Sequence, residues 1–193
     1  MSAIHVATVG EVDENAVAAI EQGLSRTFAL GLHRLDPFPE PDYALDHARN
    51  QYSSIAIMRE LVKRRPPGVE RLLAVTEKDL FIPMLSFIYG QAQLKGSVAM
   101  ISLARLRQEF YSLPANRPLL LVRAVKEALH EVGHTFGLVH CLDPGCPMSL
   151  STNIRQLDSK GNIFCPSCTI FLRENMRMLY NETTDRSDAE TRQ

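Results

Sequence analysis

The segment His130-Glu131-Val132-Gly133-His134-Thr135-Phe136-Gly137-Leu138-Val139-His140 reads H-E-x-x-H-x-x-G-x-x-H. Residues four apart lie on one helix face, so His130 and His134 can aim two imidazoles at one ion with Glu131 beside them. Two ligands do not complete a site. Glycine adopts positive φ at little cost, so Gly137 can end the helix and swing the chain until His140 reaches the same ion. Three protein ligands leave a fourth position to water, and zinc held this way lowers the pKa of that water from about 15.7 toward roughly 7. Glu131 is then placed to take the proton and pass it to a leaving amine. At ordinary residue frequencies these five fixed positions coincide by chance in roughly one chain of this length per 100,000, which sets aside satisfied polar residues on a helix as their explanation. His5, His33 and His47 each stand without a partner pattern and read as surface or local structural residues.

The four cysteines follow directly, as Cys141-x4-Cys146 and Cys165-x2-Cys168 with 18 residues between the pairs. Two such knuckles can fold about one tetrahedral zinc, and four thiolates leave no position for water or substrate, so the expected site is structural. The residues from Asp143 to Asn162 are rich in turn formers and cannot bury enough apolar surface to order themselves, so metal stands in for core. Disulfides and a reactive thiol are the alternatives. The first conflicts with an apparently reducing compartment, and the second lacks a base. Met148, eight residues after His140, carries a polarizable thioether that suits an irregular floor beneath metal-bound imidazoles, with plain core filling as the other role. Met176 and Met178 read as core or face residues of the last helix.

These residues must be positioned by the elements around them. Ile4 to Gly10 is a β-rich run, and Asp13 then precedes a helix with apolar residues at Val17, Ile20, Leu24 and Phe28. Pro37, Pro39 and Pro41 interrupt regular structure, which resumes as a helix from about Ser53 to Arg65, its Lys63-Arg64-Arg65 end a solvated last turn. Val69 to Val75 looks like a buried central strand, so the first half reads β-α-β-α-β and favours a partly parallel sheet covered by helices. Leu85 to Gly90 and Ser97 to Leu103 are predicted to form a hairpin and so an antiparallel edge. Asp79, after Glu77-Lys78, reads as a turn cap. A helix with Pro118 in its first turn carries the histidine motif to about Phe136. A last amphipathic helix spans Pro166 to Tyr180, followed by a polar, flexible tail over residues 181–193.

Bulk properties bound the rest. At 193 residues with 45% apolar content, one compact unit over residues 1–180 is expected, with an upper part (1–137) and a lower, cysteine-bearing part (138–180). Twenty-two acidic against 21 basic side chains give a net charge of −1, which opposes a nucleic-acid role. No apolar run reaches the roughly 18 residues that span a bilayer, and the N-terminus lacks signal-peptide character, so a cytoplasmic protein without membrane contact is expected.

The combined string, from His130-Glu131-x2-His134-x2-Gly137-x2-His140-Cys141 through x4-Cys146-x-Met148 to x16-Cys165-x2-Cys168, resembles the archaemetzincin family of zinc metalloproteases. Upstream, Asp79-Leu80 and Phe87-Ile88-Tyr89-Gly90-Gln91-Ala92 are similar to that family as well. The resemblance implies an α/β class, metzincin-like α/β/α sandwich, with a mixed sheet, an antiparallel edge strand, an active-site helix and a zinc-stapled C-terminal part. It also implies two zinc ions: a catalytic one on His130, His134 and His140 with Glu131 as general base, and a structural one on Cys141, Cys146, Cys165 and Cys168. Met148 would belong to the Met-turn. Metzincins hold an extended peptide against an edge strand above the metal, and Ser97, Val98, Ala99 and Met100 are the candidates for that edge. The expected activity is zinc-dependent hydrolysis of peptide bonds. The rival is a peptide-binding or structural zinc protein with negligible turnover, which would have no need of Glu131 as a base.

Overall fold

The computed structural model describes the backbone of residues 3–190 and the side chains of residues 3–179. Its main sheet is built from β1 (Ala3–Val9), β2 (Gly31–Arg34), β5 (Arg71–Thr76), β8 (Gly90–Ala92) and β9 (Val98–Ser102), in the order β2-β1-β5-β9-β8. The first four neighbours in this order run parallel, and only β8 is antiparallel. Successive side chains leave a strand on opposite faces, and the three central strands are apolar on both. Ile4, Val6, Leu73, Val75, Ala99 and Ile101 face α1 (Glu14–Phe28) and α3 (Arg117–Thr135). Ala7, Val9, Leu72, Ala74, Val98 and Met100 instead meet Ile57, Met58 and Leu61 of α2 (Ser54–Arg64). The α/β/α sandwich is therefore a sheet buried on both sides.

Local chemistry sets the helix starts. Asp13 accepts from the Asn15 N–H at 2.9 Å to cap α1, Ser53 caps α2 through the Ala56 N–H, and Asn116 caps α3 through the Leu119 N–H. A second, smaller sheet has the order β3-β4-β6-β7, made of β3 (Leu45–Asp46), β4 (Gln51–Ser53), β6 (Leu80–Ile82) and β7 (Leu85–Ile88). Asp79 does more than cap a turn: it accepts from Arg105 Nε and Nη2 at 2.6 and 2.8 Å and from Gln51 Nε2 at 2.9 Å, tying the two sheets' segments together. The chain ends through α4 (Ile154–Ser159) and α5 (Pro166–Glu190). The loose-tail reading of residues 181–193 falls beyond the described side chains, and residues 191–193 lie outside the described residues altogether. No helix among the described residues is long and apolar enough to cross a membrane.

One expectation is overturned. The predicted hairpin strand Leu85 to Gly90 is divided at Tyr89: β7 pairs with β6 in the small sheet, and only β8 pairs with β9. Ser97, Val98, Ala99 and Met100 are consequently not the edge. Strand β9 lies between β5 and β8 with every residue buried, which is what an uninterrupted apolar run means, while the short, half-buried Gly90-Gln91-Ala92 forms the antiparallel border.

Candidate metal centres

Helix α3 brings His130 and His134 to one face, with ring centroids 4.6 Å apart. His130 Nδ1 lies 2.8 Å from the Pro147 carbonyl oxygen and His134 Nδ1 2.7 Å from that of Leu138. A carbonyl oxygen only accepts, so both Nδ1 atoms carry the proton and donate. Both Nε2 atoms are then bare lone pairs, and they face each other at 3.1 Å. Two acceptors cannot bond to one another; a shared cation satisfies both, and tetrahedral zinc at about 2.0–2.1 Å from each nitrogen would space them about 3.3 Å apart. The donor set fits zinc.

The third imidazole arrives as the spacing predicts. Gly137 has φ +85°, Gly137 N–H donates to His134 O at 2.9 Å and Leu138 N–H to Gly133 O at 3.0 Å, a left-handed helix stop. The chain then turns so that the His140 ring lies 5.3 Å from that of His130 and 5.1 Å from that of His134. The three donor nitrogens all fall within 4.8 Å of one another. His130 is buried and His140 exposed, so the site opens to solvent on the His140 side. Burial first, and then the nearby Lys160 ammonium, keep His130 and His140 below the usual imidazole range, in the neutral form that binds metal.

The four thiols also converge within 4.8 Å. Cys141 Sγ and Cys165 Sγ are 3.7 Å apart, far beyond a disulfide's roughly 2.05 Å and close to the ~3.8 Å that tetrahedral zinc imposes at Zn–S distances near 2.3 Å. All four are free thiols. Backbone N–H groups of Asp143, Cys165 and Cys168 point at Cys141, Cys146 and Cys165 Sγ at 3.4, 3.5 and 3.5 Å, donors suited to thiolate charge. Met148 is fully buried beneath the turn between His130 and His134: a Cβ placed on Gly133 would stand 2.6 Å from its sulfur, so glycine lets the helix rest on the thioether without displacing it.

With both clusters in place, comparison with known proteins is decisive. The model of peptidase family M54 matches residues 43–174. An archaemetzincin of Methanocaldococcus jannaschii is 39% identical over 86% of this chain and 89% of its own. The crystal structure of archaemetzincin from Methanopyrus kandleri superposes with a TM-score of 0.78 at 32% identity, covering 91% of this chain and 96% of the other. That of a zinc-dependent peptidase from Methanocorpusculum labreanum gives 0.76 at 32% identity, over 88% and 99%. The chain belongs to peptidase family M54, the archaemetzincins. It is a zinc metallopeptidase, acting on peptide or protein.

The archaemetzincin site also contains residues that motif reading missed. Glu131 is buried, and so are Glu127 one turn before it and Lys160 just after α4. Burial raises the Glu131 carboxyl above its usual range, and the Glu127 charge raises it further, with a hydrogen bond joining the two side chains. Burial likewise raises Glu127, and Lys160 opposes both shifts. Arg123 explains how Lys160 gets there. Its Nε and Nη2 each donate to an Asp158 carboxylate oxygen at 2.7 Å, and Lys126 Nζ donates to the Asp158 carbonyl at 2.9 Å, which seats α4 on α3. Lys160 Nζ then donates to the Pro147 carbonyl at 3.1 Å, the oxygen that also orients His130. The signal was present: 123, 126, 127, 130, 131 and 134 mark one polar stripe at helical spacing on an otherwise apolar helix.

A cavity of about 470 Å3 lies between these groups and strands β7 and β8, lined by His130, Glu131, His134, His140 and Lys160. Its roof is close: a Cβ on Gly90 would stand 2.6 Å from Glu131 Cγ, so glycine at this point of β8 is what allows the edge strand to lie against the carboxylate. A larger groove of about 820 Å3 between α1, α3 and α5 contains none of the histidines or cysteines of the two clusters.

Proposed function

We propose that His130, His134 and His140 hold the catalytic zinc, that Glu131 is the general base of peptide hydrolysis, and that the four cysteines hold a second, structural zinc. The observation that carries the reading is the pair of unprotonated Nε2 atoms facing each other at 3.1 Å beside Glu131. When bound, the catalytic zinc polarises the scissile carbonyl and acidifies a water enough for attack at neutral pH. Glu131 accepts the proton of that water on its carboxylate and delivers it to the leaving nitrogen. Hydrogen bonds from Nδ1 to the carbonyls of Pro147 and Leu138 fix the ring orientation of His130 and His134. The outer edge of β8 offers free backbone groups to an extended peptide, which suits binding with little sequence preference.

A peptide-library digest with wild type and Glu131→Gln, both metal-loaded, tests this reading. The variant should keep its fold and both zinc ions and lose about 10²–10⁴-fold in kcat. Equal cleavage by the two proteins would exclude Glu131 as base. No cleavage by either would favour the peptide-binding alternative.

A further inference from the structure

The segment from His140 to Ser149 serves both clusters at once. His140 and Cys141 are consecutive, and so are Cys146, Pro147 and Met148. Pro147 supplies the carbonyl that orients His130, and Met148 is the sulfur beneath Gly133. One strap thus carries two thiols, one imidazole, and the floor and the orienting oxygen of the histidine site. Its own contacts close it on itself: Cys141 N–H donates to Met148 O at 2.9 Å, Cys146 N–H to Asp143 O at 3.1 Å and Ser149 N–H to Cys146 O at 3.0 Å. Its apex has no core to rest on, with Leu142 fully exposed and Asp143, Pro144 and Gly145 also in solvent. Two polar anchors reach it from the α4 side, Gly161 N–H to Gly145 O at 2.7 Å and Lys160 Nζ to Pro147 O at 3.1 Å. Among the described residues, the thiol cluster is the polar tie between the strap and α5: Cys165 and Cys168 lie at the start of that helix and the Cys165 N–H already points at Cys146 Sγ.

We propose that the cysteine cluster is a positioning element of the histidine site: a metal on the four thiols locks the 140–149 strap and thereby raises the affinity of the three histidines for theirs. Resting on the two-zinc reading above, it goes beyond a merely stabilising role for the cysteines. Without the lock, the exposed arm that carries His140 and Cys141 loses its tie to α5 and shifts by more than a metal site tolerates, while His130 and His134 stay fixed on α3 and Pro147 stays buried against Lys160. Loss of an outer-shell orienting group alone weakens metal sites by roughly 10- to 100-fold, and displacement of the ligand His140 should cost at least as much. Linkage makes the effect reciprocal, so a metal on the histidines tightens the thiol site by the same factor.

Cobalt(II) is the probe, because thiolate-to-metal charge-transfer bands separate the cysteine site from the weak ligand-field bands of the histidine site. Wild type should take two equivalents; uptake of only one would sink the two-metal reading itself and this proposal with it. Cys165→Ser alters a thiol that touches no histidine, yet it should weaken cobalt at the histidines by at least about 10-fold. Cys165→His, which restores a closed Cys3His set, should return that affinity to near wild type. A histidine site in Cys165→Ser that binds cobalt within twofold of wild type, on a protein taking two equivalents when wild type, would overturn the coupling and leave the two-metal reading standing. Should the serine variant fail to fold by far-UV circular dichroism, the unmodified chain decides. One equivalent of Cd2+, which prefers soft thiolates, should slow amide exchange at Cys141, Cys146 and Ser149 by about 10-fold or more. Unchanged exchange there would overturn the proposal.

Discussion

Two of the three imidazoles and the third are held by different physics. His130 and His134 stand on a 19-residue helix whose Ala124, Ala128 and Val132 are buried against the sheet and α1. His140 stands on a strap beyond the helix stop, in a stretch where Val139, Leu142, Leu150 and Ile163 are exposed and α4 is six residues long. Apolar burial orders the first region throughout. In the second, Cys146, Met148 and Leu157 reach the core, but the exposed arm with His140 and the 142–145 apex is held by polar anchors and converging thiols. A metal site assembled across such a border inherits the rigidity of one side and the conditional order of the other, so the two should separate under perturbation.

The sharpest way to probe the first region is Ile101→Ala, at a fully buried position in β9. It should lower the unfolding free energy by about 2–5 kcal/mol in urea denaturation, and a loss below about 1 kcal/mol would mean that the sheet is not the main source of order. Next comes metal removal. A chelator should speed amide exchange in the 141–149 strap and α4 while β1, β5 and β9 stay protected; simultaneous opening of both regions would erase the distinction. Asp13→Ala, which removes the α1 cap, should cost about 1 kcal/mol at neutral pH. Partial burial works against the Asp13 carboxylate, but the Asn15 donors and the Arg117 guanidinium hold its pKa below the usual carboxylate range. A group so depressed stabilises the fold above its unfolded pKa and loses that contribution as pH falls through the folded one. The gap between wild type and Asp13→Ala should therefore shrink in acid, below about pH 4. Leu142→Ser at the exposed strap apex is the smallest change, within about 0.5 kcal/mol by thermal unfolding.

Much of the site was legible because its spacing is local. Positions four apart meet on any helix, a glycine can stop it, and paired cysteines make knuckles, so the seven candidate ligands needed no knowledge of the fold. Glu127 and Lys160 illustrate the limit. Glu127 sits in a visible polar stripe, but nothing in a linear reading says that Lys160, 29 residues after Glu131, comes up beneath it; that follows from Arg123 gripping Asp158 and so setting where α4 ends.

The edge strand shows the same division more plainly. Residue types between Leu85 and Leu103 announced β-structure and a turn, yet the partner of each strand depended on pairings with Leu80 and Leu72, up to tens of residues away. The amino-acid order by itself determined the candidate ligand groups, the helix that carries His130 and His134, and the family. Tertiary structure alone decided that β8 rather than β9 borders the cleft, that Gly90 lies over Glu131, and that one strap serves both clusters. Helical periodicity is written in neighbours along the chain, whereas sheet order and the meeting of buried charges are written in contacts the chain makes only after it has closed on itself.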